Sequence, residues 1–344
     1  MTTAAELAHR MPPATDGTIA ALNHESARRR AWQRFAQAGR DEDALAIVEA
    51  ELVSAQFLGD VEALDRIEDL ARRLDDETAT RALVLARMAS ATHRFADART
   101  HLAKAAVRGA PAGVVDRQTL SVDQACGANL DAVLDARQRI AKAGRTEDLV
   151  PLGALLADLD EFAHADRVYR QAVAAYDDVS PFPLAWTCFQ LGMLWGEQVP
   201  EPDFDLAATW YGRAVDYVPG YVRARVHLSE IRMRCGDGIE ATALLEPVIS
   251  SGDPEVRWRL ADVLAAHGDP ESARVHLDGV RMRYEALLAK HLLAFADHAA
   301  EFYAGSGNDP ARARELARVN VANRPTRRAI AQLQAIELSA EAAS

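Results

Sequence analysis

The stretch from Leu152 to Pro219 constrains the fold most, because it contains the same order of residue types twice. In each copy a Leu-Gly pair is followed by a large apolar residue, an alanine, an aromatic residue and a second alanine. The positions are Leu152, Gly153, Leu156, Ala165, Tyr169 and Ala172 in the first copy, and Leu191, Gly192, Trp195, Ala207, Tyr211 and Ala214 in the second. Apolar residues three and four apart line one face of a helix, so the stretch predicts two helical hairpins.

Each residue type that the two copies share has a physical role in such a hairpin. Gly153 and Gly192 have no side chain, so the second helix can approach the first closely. Ala165 and Ala207 are expected at the matching contact, where a larger residue would push the helices apart. Pro219 is expected to end the second helix of its hairpin, because proline cannot continue the hydrogen-bond ladder.

This order of residues resembles the tetratricopeptide repeat pattern, which reads W-x2-L-G-x2-Y, then A-x3-F, then P over about 34 residues. The resemblance implies a right-handed superhelix of helix pairs, in which the first helix of each pair lines a concave groove. It covers about residues 40–325 and is strongest over 146–282.

Alanines that open the second helix of each hairpin recur along most of the chain. The gaps between them are 35, 34, 33, 42, 34, 32 and 40 residues, from Ala63 through Ala98, Ala132, Ala165, Ala207, Ala241 and Ala273 to Ala313. Five gaps match the repeat length, and the two long ones require insertions, the first at Val199-Pro200-Glu201-Pro202 and the second around residues 304–307. The sequence therefore predicts an all-α fold, an α-solenoid of about eight hairpins with capping helices at both ends.

The domain organisation follows from how well each stretch keeps the pattern. Residues 1–24 are expected to be a flexible segment, and residues 25–341 a single superhelical domain. Within that domain the repeats over 146–282 are regular, those over 40–145 and 284–325 are degenerate, and residues 326–341 form a C-terminal capping helix. A helix from Glu25 to Ala38 is expected to cap the N-terminal end, because end repeats need a polar outer face.

Composition supports helices and narrows the choice of partners. Apolar residues make up 49% of the chain but aromatic residues only 6%, which suits close-packed Ala- and Leu-rich helices. The net charge of -12 argues against nucleic acid as a partner. Three widely spaced cysteines, the absence of an apolar leader and the absence of a long apolar run indicate a soluble cytoplasmic protein without a membrane segment.

A search for chemistry gives mostly negative results. The sequence contains no P-loop, no G-x-G-x-x-G after a strand, no H-E-x-x-H and no G-x-S-x-G motif. Histidines cluster late, and His291 and His298 share a helix face, although seven residues is too far for one ion to bridge directly. A basic segment from Arg312 to Arg328 could contact an acidic partner, or its positive charges could instead stabilise the C-terminal ends of helices. We expect no cofactor, no metal and no catalysis.

The positive prediction is a partner-binding groove between about residues 183 and 266. The repeat alignment turns a set of aromatic, Met and charged residues towards the concave side, and such residues are typical of binding hot spots. They are Trp186, Phe189, Met193, Arg223, Val226, Glu230, Met233, Arg234, Trp258 and Asp262. The open alternative is that these residues, Trp186 and Trp258 above all, contact the neighbouring repeat.

These observations favour a non-catalytic scaffold or adaptor that binds a protein or a peptide segment in the groove. Two other classes of function remain open: a regulatory protein that senses a peptide, and an enzyme or accessory subunit that uses the late histidines. The sequence leaves open the oligomeric state, the partner, and whether the groove or the C-terminal basic segment is the main contact surface.

Overall fold

Helices follow one another through residues 11–342, which are the residues described in this computed structural model, and this range contains no strand. The helices are Gly17–Ala38 (α1), Asp41–Leu58 (α2), Ala63–Ala71 (α3), Ala79–Ala91 (α4), Phe95–Val107 (α5), Ala112–Ala125 (α6), Leu130–Ala141 (α7), Thr146–Asp158 (α8), Phe162–Ala174 (α9), Pro181–Met193 (α10), Phe204–Tyr217 (α11), Val222–Arg234 (α12), Gly238–Leu245 (α13), Pro254–Ala266 (α14), Pro270–Ala304 (α15), Pro310–Asn323 (α16) and Arg327–Ala342 (α17). The prediction of an all-α solenoid is confirmed.

The chain divides into two units. Unit 1 contains Met1–Ala27, Gln56–Gly59 and Asp131–Ser251, and unit 2 contains Arg28–Ala55, Asp60–Leu130 and Gly252–Ser344. In unit 1, α8 packs on α9, α10 on α11 and α12 on α13; in unit 2, α4 packs on α5, α14 on α15, and α15 on α16. The single-domain organisation therefore stays a prediction, and each unit is described by itself.

The helix crossings in unit 1 confirm the roles predicted for the glycines. A methyl group on Gly153 would lie 2.7 Å from the Tyr169 ring, and one on Gly192 would lie 2.5 Å from the Tyr211 ring. Both distances are shorter than carbon atoms tolerate, so only glycine permits this approach. The two tyrosines and the neighbouring Trp210 are almost fully buried, and they form much of the core of the unit.

The alanines predicted to open each second helix are buried at every position except one. Exposure is 3% or less at seven of the eight, namely Ala63, Ala98, Ala165, Ala207, Ala241, Ala273 and Ala313. Ala132, in contrast, is exposed. The third repeat therefore does not keep the predicted register: Val133, beside Ala132, is the residue that is buried.

Several helices are preceded by an aspartate, and at three of them a proline follows it. The carboxylates of Asp253, Asp269 and Asp309 each accept a hydrogen bond of 3.0 Å from a backbone N–H in the first turn of α14, α15 and α16. The aspartate satisfies a backbone donor that has no partner within the helix, and the proline that follows has the backbone angle of a helix start.

The two long gaps in the repeat have different structural origins. After α10 the chain continues through a π-helical turn, Leu194–Gln198, before the proline-containing loop that was expected. In the later case, α15 runs for 35 residues through a kink at His291, where the backbone is not helical. The second helix of one hairpin and the first helix of the next are thus joined without a loop.

The N-terminal helix begins at Gly17 rather than at Glu25, so residues 17–24 are helical and not a flexible segment. Its first half packs in unit 1 on the turns of the middle hairpins. Gly17 lies against Tyr217 and Pro219, and the Tyr217 hydroxyl donates a 2.8 Å hydrogen bond to the Pro12 carbonyl oxygen. The expected flexibility of residues 1–10 falls outside the described residues.

Unit 2 contains contacts between residues more than 200 positions apart. Arg283 donates a 2.6 Å hydrogen bond to Glu62, and Lys290 donates one of 2.6 Å to Asp65. The Asn323 side chain donates to the His93 carbonyl oxygen at 2.9 Å. A linear repeat array is held together by contacts between neighbouring repeats alone; in unit 2 the early and the late hairpins also pack on each other.

Candidate functional site

The predicted groove residues of unit 1 lie on α10 and α12, the first helices of two consecutive hairpins. Five of them reach the surface to some extent: Arg223 and Arg234 are exposed, and Trp186, Glu230 and Met233 are half-buried. Arg223 and Glu230 are seven residues apart and so share one face of α12. The Arg234 guanidinium lies 5.3 Å from the centre of the Phe204 ring.

Three other predicted residues of unit 1 are in the core, so the expectation that they face solvent is wrong. Phe189 is 4% exposed, Met193 8% and Val226 0%. The Phe189 ring lies 5.3 Å from the Tyr221 ring and 5.3 Å from the His227 ring, because α12 covers this side of α10. The alternative weighed from the sequence, that such residues contact the neighbouring repeat, applies to these three.

Trp186 has an intermediate position between core and surface. Its ring is half-buried and stacks on Phe189, with ring centres 5.8 Å apart and planes 21° apart. Because Phe189 is fixed by the rings of the following hairpin, it supports Trp186 from behind. Trp186 is therefore a rigid aromatic surface that is still partly open to solvent.

The structure adds a polar cluster beside these residues that the sequence analysis missed. One carboxylate oxygen of Glu197 lies 3.0 Å from the Tyr211 hydroxyl and 2.7 Å from Nδ1 of His227. The His227 and Tyr211 rings stack, with centres 5.3 Å apart. We call the surface formed by Trp186, Glu197, Arg223, His227 and Glu230 the α10–α12 face.

The π-helical turn after α10 gives Glu197 its place in this cluster. Gly196 lies against Ala207, where a methyl group on Gly196 would be 3.2 Å from the Ala207 side chain, so the turn stays close to α11. Single π-helical turns of this kind often occur at functional sites. The one signal in the sequence was the gap of 42 residues between Ala165 and Ala207.

Trp258 and Asp262 lie in unit 2, where Asp262 is half-buried and the expectation that Trp258 lines an exposed groove is wrong. Trp258 is 3% exposed, its indole N–H donates a 3.0 Å hydrogen bond to the Ser306 hydroxyl, and Ser306 donates to Asp262 at 2.6 Å. The Arg259 guanidinium lies 3.7 Å from the centre of the Trp258 ring. Burial raises the pKa of Asp262 despite the hydrogen bond from Ser306. These residues tie α14 to the loop after α15.

The two late histidines that share a predicted face have separate partners. Nε2 of His291 lies 3.0 Å from Asp65, and Nδ1 of His298 lies against the buried Glu255. His267 contacts a carbonyl oxygen of its own helix. Within residues 11–342 there is no group of three or more His, Cys, Asp or Glu side chains that could hold a metal ion.

Much of the C-terminal basic segment is paired with acidic groups of unit 2. Arg312 binds Glu285 at 3.0 Å and Glu315 at 2.8 Å. Arg324 binds Asp297; burial alone would raise the pKa of that carboxyl group, but the charges of His298 and Arg324 lower it to about 2. These pairs favour the structural role of the segment over a contact surface.

No helix within residues 11–342 is long and apolar enough to cross a membrane. No protein-family model and no curated protein sequence matches the chain.

Several solved structures are similar to the chain in fold. MamA is 18% identical with a TM-score of 0.40, over 48% of this chain and 95% of MamA. The Cut9–Hcn1 hetero-tetramer of the APC/C is 14% identical with a TM-score of 0.48, over 88% of this chain and 64% of that one. A tetratricopeptide repeat protein from Parabacteroides merdae is 12% identical with a TM-score of 0.42, over 76% and 93%. In fold, the chain is a tetratricopeptide-like array of helical hairpins, with glycine at its close helix crossings.

Proposed function

We propose that the chain is a non-catalytic scaffold that binds a peptide segment of a partner protein on the α10–α12 face of unit 1. The observation that carries the proposal is Trp186, a half-buried ring that stacks on a fixed Phe189, on a face that also carries charged side chains. Aromatic residues held rigid at the edge of the core, with arginine nearby, are typical of binding hot spots.

The charges on this face suit a peptide with both an apolar anchor and polar groups. Arg223 can receive a carboxylate or a backbone carbonyl oxygen, and Glu197 and Glu230 can receive N–H groups or a basic side chain. His227 is held between the Tyr211 ring and the Glu197 carboxylate, so its position is fixed before binding. A site that is already ordered loses less side-chain entropy when it binds.

The free cysteine thiols of the chain agree with the cytoplasmic location that the sequence predicts. Cys126, Cys188 and Cys235 are free thiols, and Cys126 and Cys188 are buried. Burial raises the pKa of the Cys188 thiol to about 12, so this side chain acts as a small apolar group rather than a nucleophile.

Selection from a random peptide library displayed on phage, followed by fluorescence anisotropy with the selected peptides, tests the proposal. We expect Trp186→Ala and Arg223→Glu each to weaken binding by about tenfold or more. Arg139→Glu, which reverses the charge of an exposed arginine on α7 of the same unit, should leave binding unchanged.

Two results would contradict the proposal. One is the failure of the library to yield any peptide that distinguishes the wild type from Trp186→Ala. The other is loss of binding in Arg328→Glu with full binding in Arg223→Glu, which would assign the contact to the C-terminal basic segment.

A further inference from the structure

A stripe of exposed apolar residues runs along the first part of α15 in unit 2. Val275 is 63% exposed and Met282 75%, and Gly279, Ala286 and Ala289 are exposed as well. A methyl group on Gly279 would have no neighbouring atom within 4 Å. The fold leaves this face of the helix in solvent.

The spacing of the stripe is that of a helix seam. Positions 275, 279, 282, 286 and 289 alternate steps of four and three residues, which is the heptad spacing of paired helices. The opposite face of the same helix carries Val280, Tyr284 and Leu287, which are buried in unit 2. The helix therefore has one apolar face for its own core and a second one that its own core does not use.

The charges beside the stripe differ between its two flanks. The first flank has Glu271, Asp278 and Glu285, each of which also binds an arginine of its own chain, and the second flank has His276, Arg283 and Lys290. When two such helices pair in parallel, each residue of the first flank meets the residue five positions later on the partner helix. Two of the resulting pairs, Asp278 with Arg283 and Glu285 with Lys290, combine opposite charges, and the third places Glu271 beside His276, whose pKa is lowered by burial. Antiparallel pairing would instead bring like charges together.

Two of the basic residues are held in position within unit 2. Arg283 binds Glu62 at 2.6 Å and also donates to the Gly252 carbonyl oxygen at 3.0 Å, and Lys290 binds Asp65 at 2.6 Å. Their side chains are ordered before any partner arrives, so pairing costs them little further entropy.

We propose that this face of α15 pairs with the same face of a second copy of the chain, in parallel and about a two-fold axis. The seam covers only two heptads, so the surface area that it buries is smaller than the roughly 800 Å² per partner of a standard stable interface. The dimer is accordingly reversible and forms at micromolar or higher protein concentration, and salt weakens it because the flanking pairs are exposed.

Disulfide formation between engineered cysteines tests the direction of pairing. In a Cys235→Ser background, which removes the exposed native thiol, Val275→Cys and Ala289→Cys should each give a covalent dimer by itself under mild oxidation. In a parallel seam each position meets its own copy. A covalent dimer that forms only when the two variants are mixed would mean antiparallel pairing, and would overturn the proposal.

Sedimentation equilibrium tests the seam without any covalent bond. Met282→Glu should weaken dimerisation by at least about tenfold, because it places two like charges opposite each other in the seam. Val107→Glu is the matched control, since Val107 is 89% exposed on α5 and lies outside the stripe. Both variants should keep the wild-type helix content.

Two further outcomes would overturn the proposal. The first is a wild-type chain that stays monomeric up to submillimolar concentration at low salt. The second is a dimer that Met282→Glu leaves intact or that Val107→Glu disrupts, since either result would place the contact between copies elsewhere.

Discussion

Residues with the same predicted role differ in burial in this chain, and the two tryptophans Trp186 and Trp258 show this best. Both were predicted to line a groove. Trp186 lies at the edge of the core and keeps part of its ring in solvent, whereas Trp258 is 3% exposed and hydrogen-bonded to Ser306. Which of the two carries binding energy is thus decided by packing.

Alanine substitution of each tryptophan separates these roles. Trp258→Ala should lower the free energy of unfolding by about 3 to 5 kcal/mol, the usual cost of removing a large buried ring. Trp186→Ala should cost only about 1 kcal/mol, since it removes one stacked pair. Urea unfolding followed by circular dichroism measures both values, and equal losses would contradict the burial difference.

His93 links protonation to stability in unit 2. Burial and the charge of Arg324 lower its pKa to about 4, and its Nδ1 lies 3.1 Å from the Leu293 carbonyl oxygen. The imidazole stays neutral in the fold while the unfolded chain takes up a proton below its ordinary pKa of 6.5. Stability from this group is complete above pH 6.5 and decreases as the pH falls towards 4.

Replacing His93 with asparagine should remove this pH dependence. Its backbone is left-handed, with φ of 55°, and asparagine tolerates that conformation better than most residues. Between pH 7 and pH 4.5 we expect the wild type to lose on the order of 2 kcal/mol more than His93→Asn. Urea unfolding across that range is the measurement, and identical pH profiles would show that His93 is not the group responsible.

At the scale of elements, the close crossing of α10 and α11 depends on glycine. Gly192→Ala should destabilise the chain by about 1 to 3 kcal/mol, because its methyl group would overlap the Tyr211 ring. Gly212→Ala is the matched control on α11, where an added methyl group has no neighbour within 4 Å. It should stabilise the chain by up to about 1 kcal/mol, the difference in helix propensity. Thermal unfolding compares them, and a Gly192→Ala variant at least as stable as the wild type would contradict a close crossing at this residue.

Much of the element scale could be predicted from the sequence, because helix crossings use local, periodic patterns. The Gly153 and Gly192 contacts and most of the buried alanines follow from spacing within one hairpin. The burial of Phe189 could not be predicted from spacing within one hairpin, since it depends on rings of the following hairpin. The same applies to Glu197, whose π-helical turn has no periodic signal.

At the scale of the whole molecule, the feature that a linear repeat pattern could not predict is the packing of early on late hairpins within unit 2. It rests on ion pairs such as Asp65 with Lys290 and on the hydrogen bond from Asn323 to His93. Partial burial would raise the pKa of Asp65, but hydrogen bonds from Lys290 and His291 lower it. Contacts between residues more than 200 positions apart leave no spacing that a repeat comparison can detect.

Zero-length carbodiimide crosslinking tests this packing most directly, because Lys290 Nζ and an Asp65 carboxylate oxygen are 2.6 Å apart. The chain has only three lysines, Lys104, Lys142 and Lys290, so few products are possible. In dilute protein, peptide mass mapping of the monomer should show a bond between residues 65 and 290, and Lys290→Arg should abolish it. A folded monomer that forms no such bond, with Lys290 joined only to residues near it in sequence, would contradict the account.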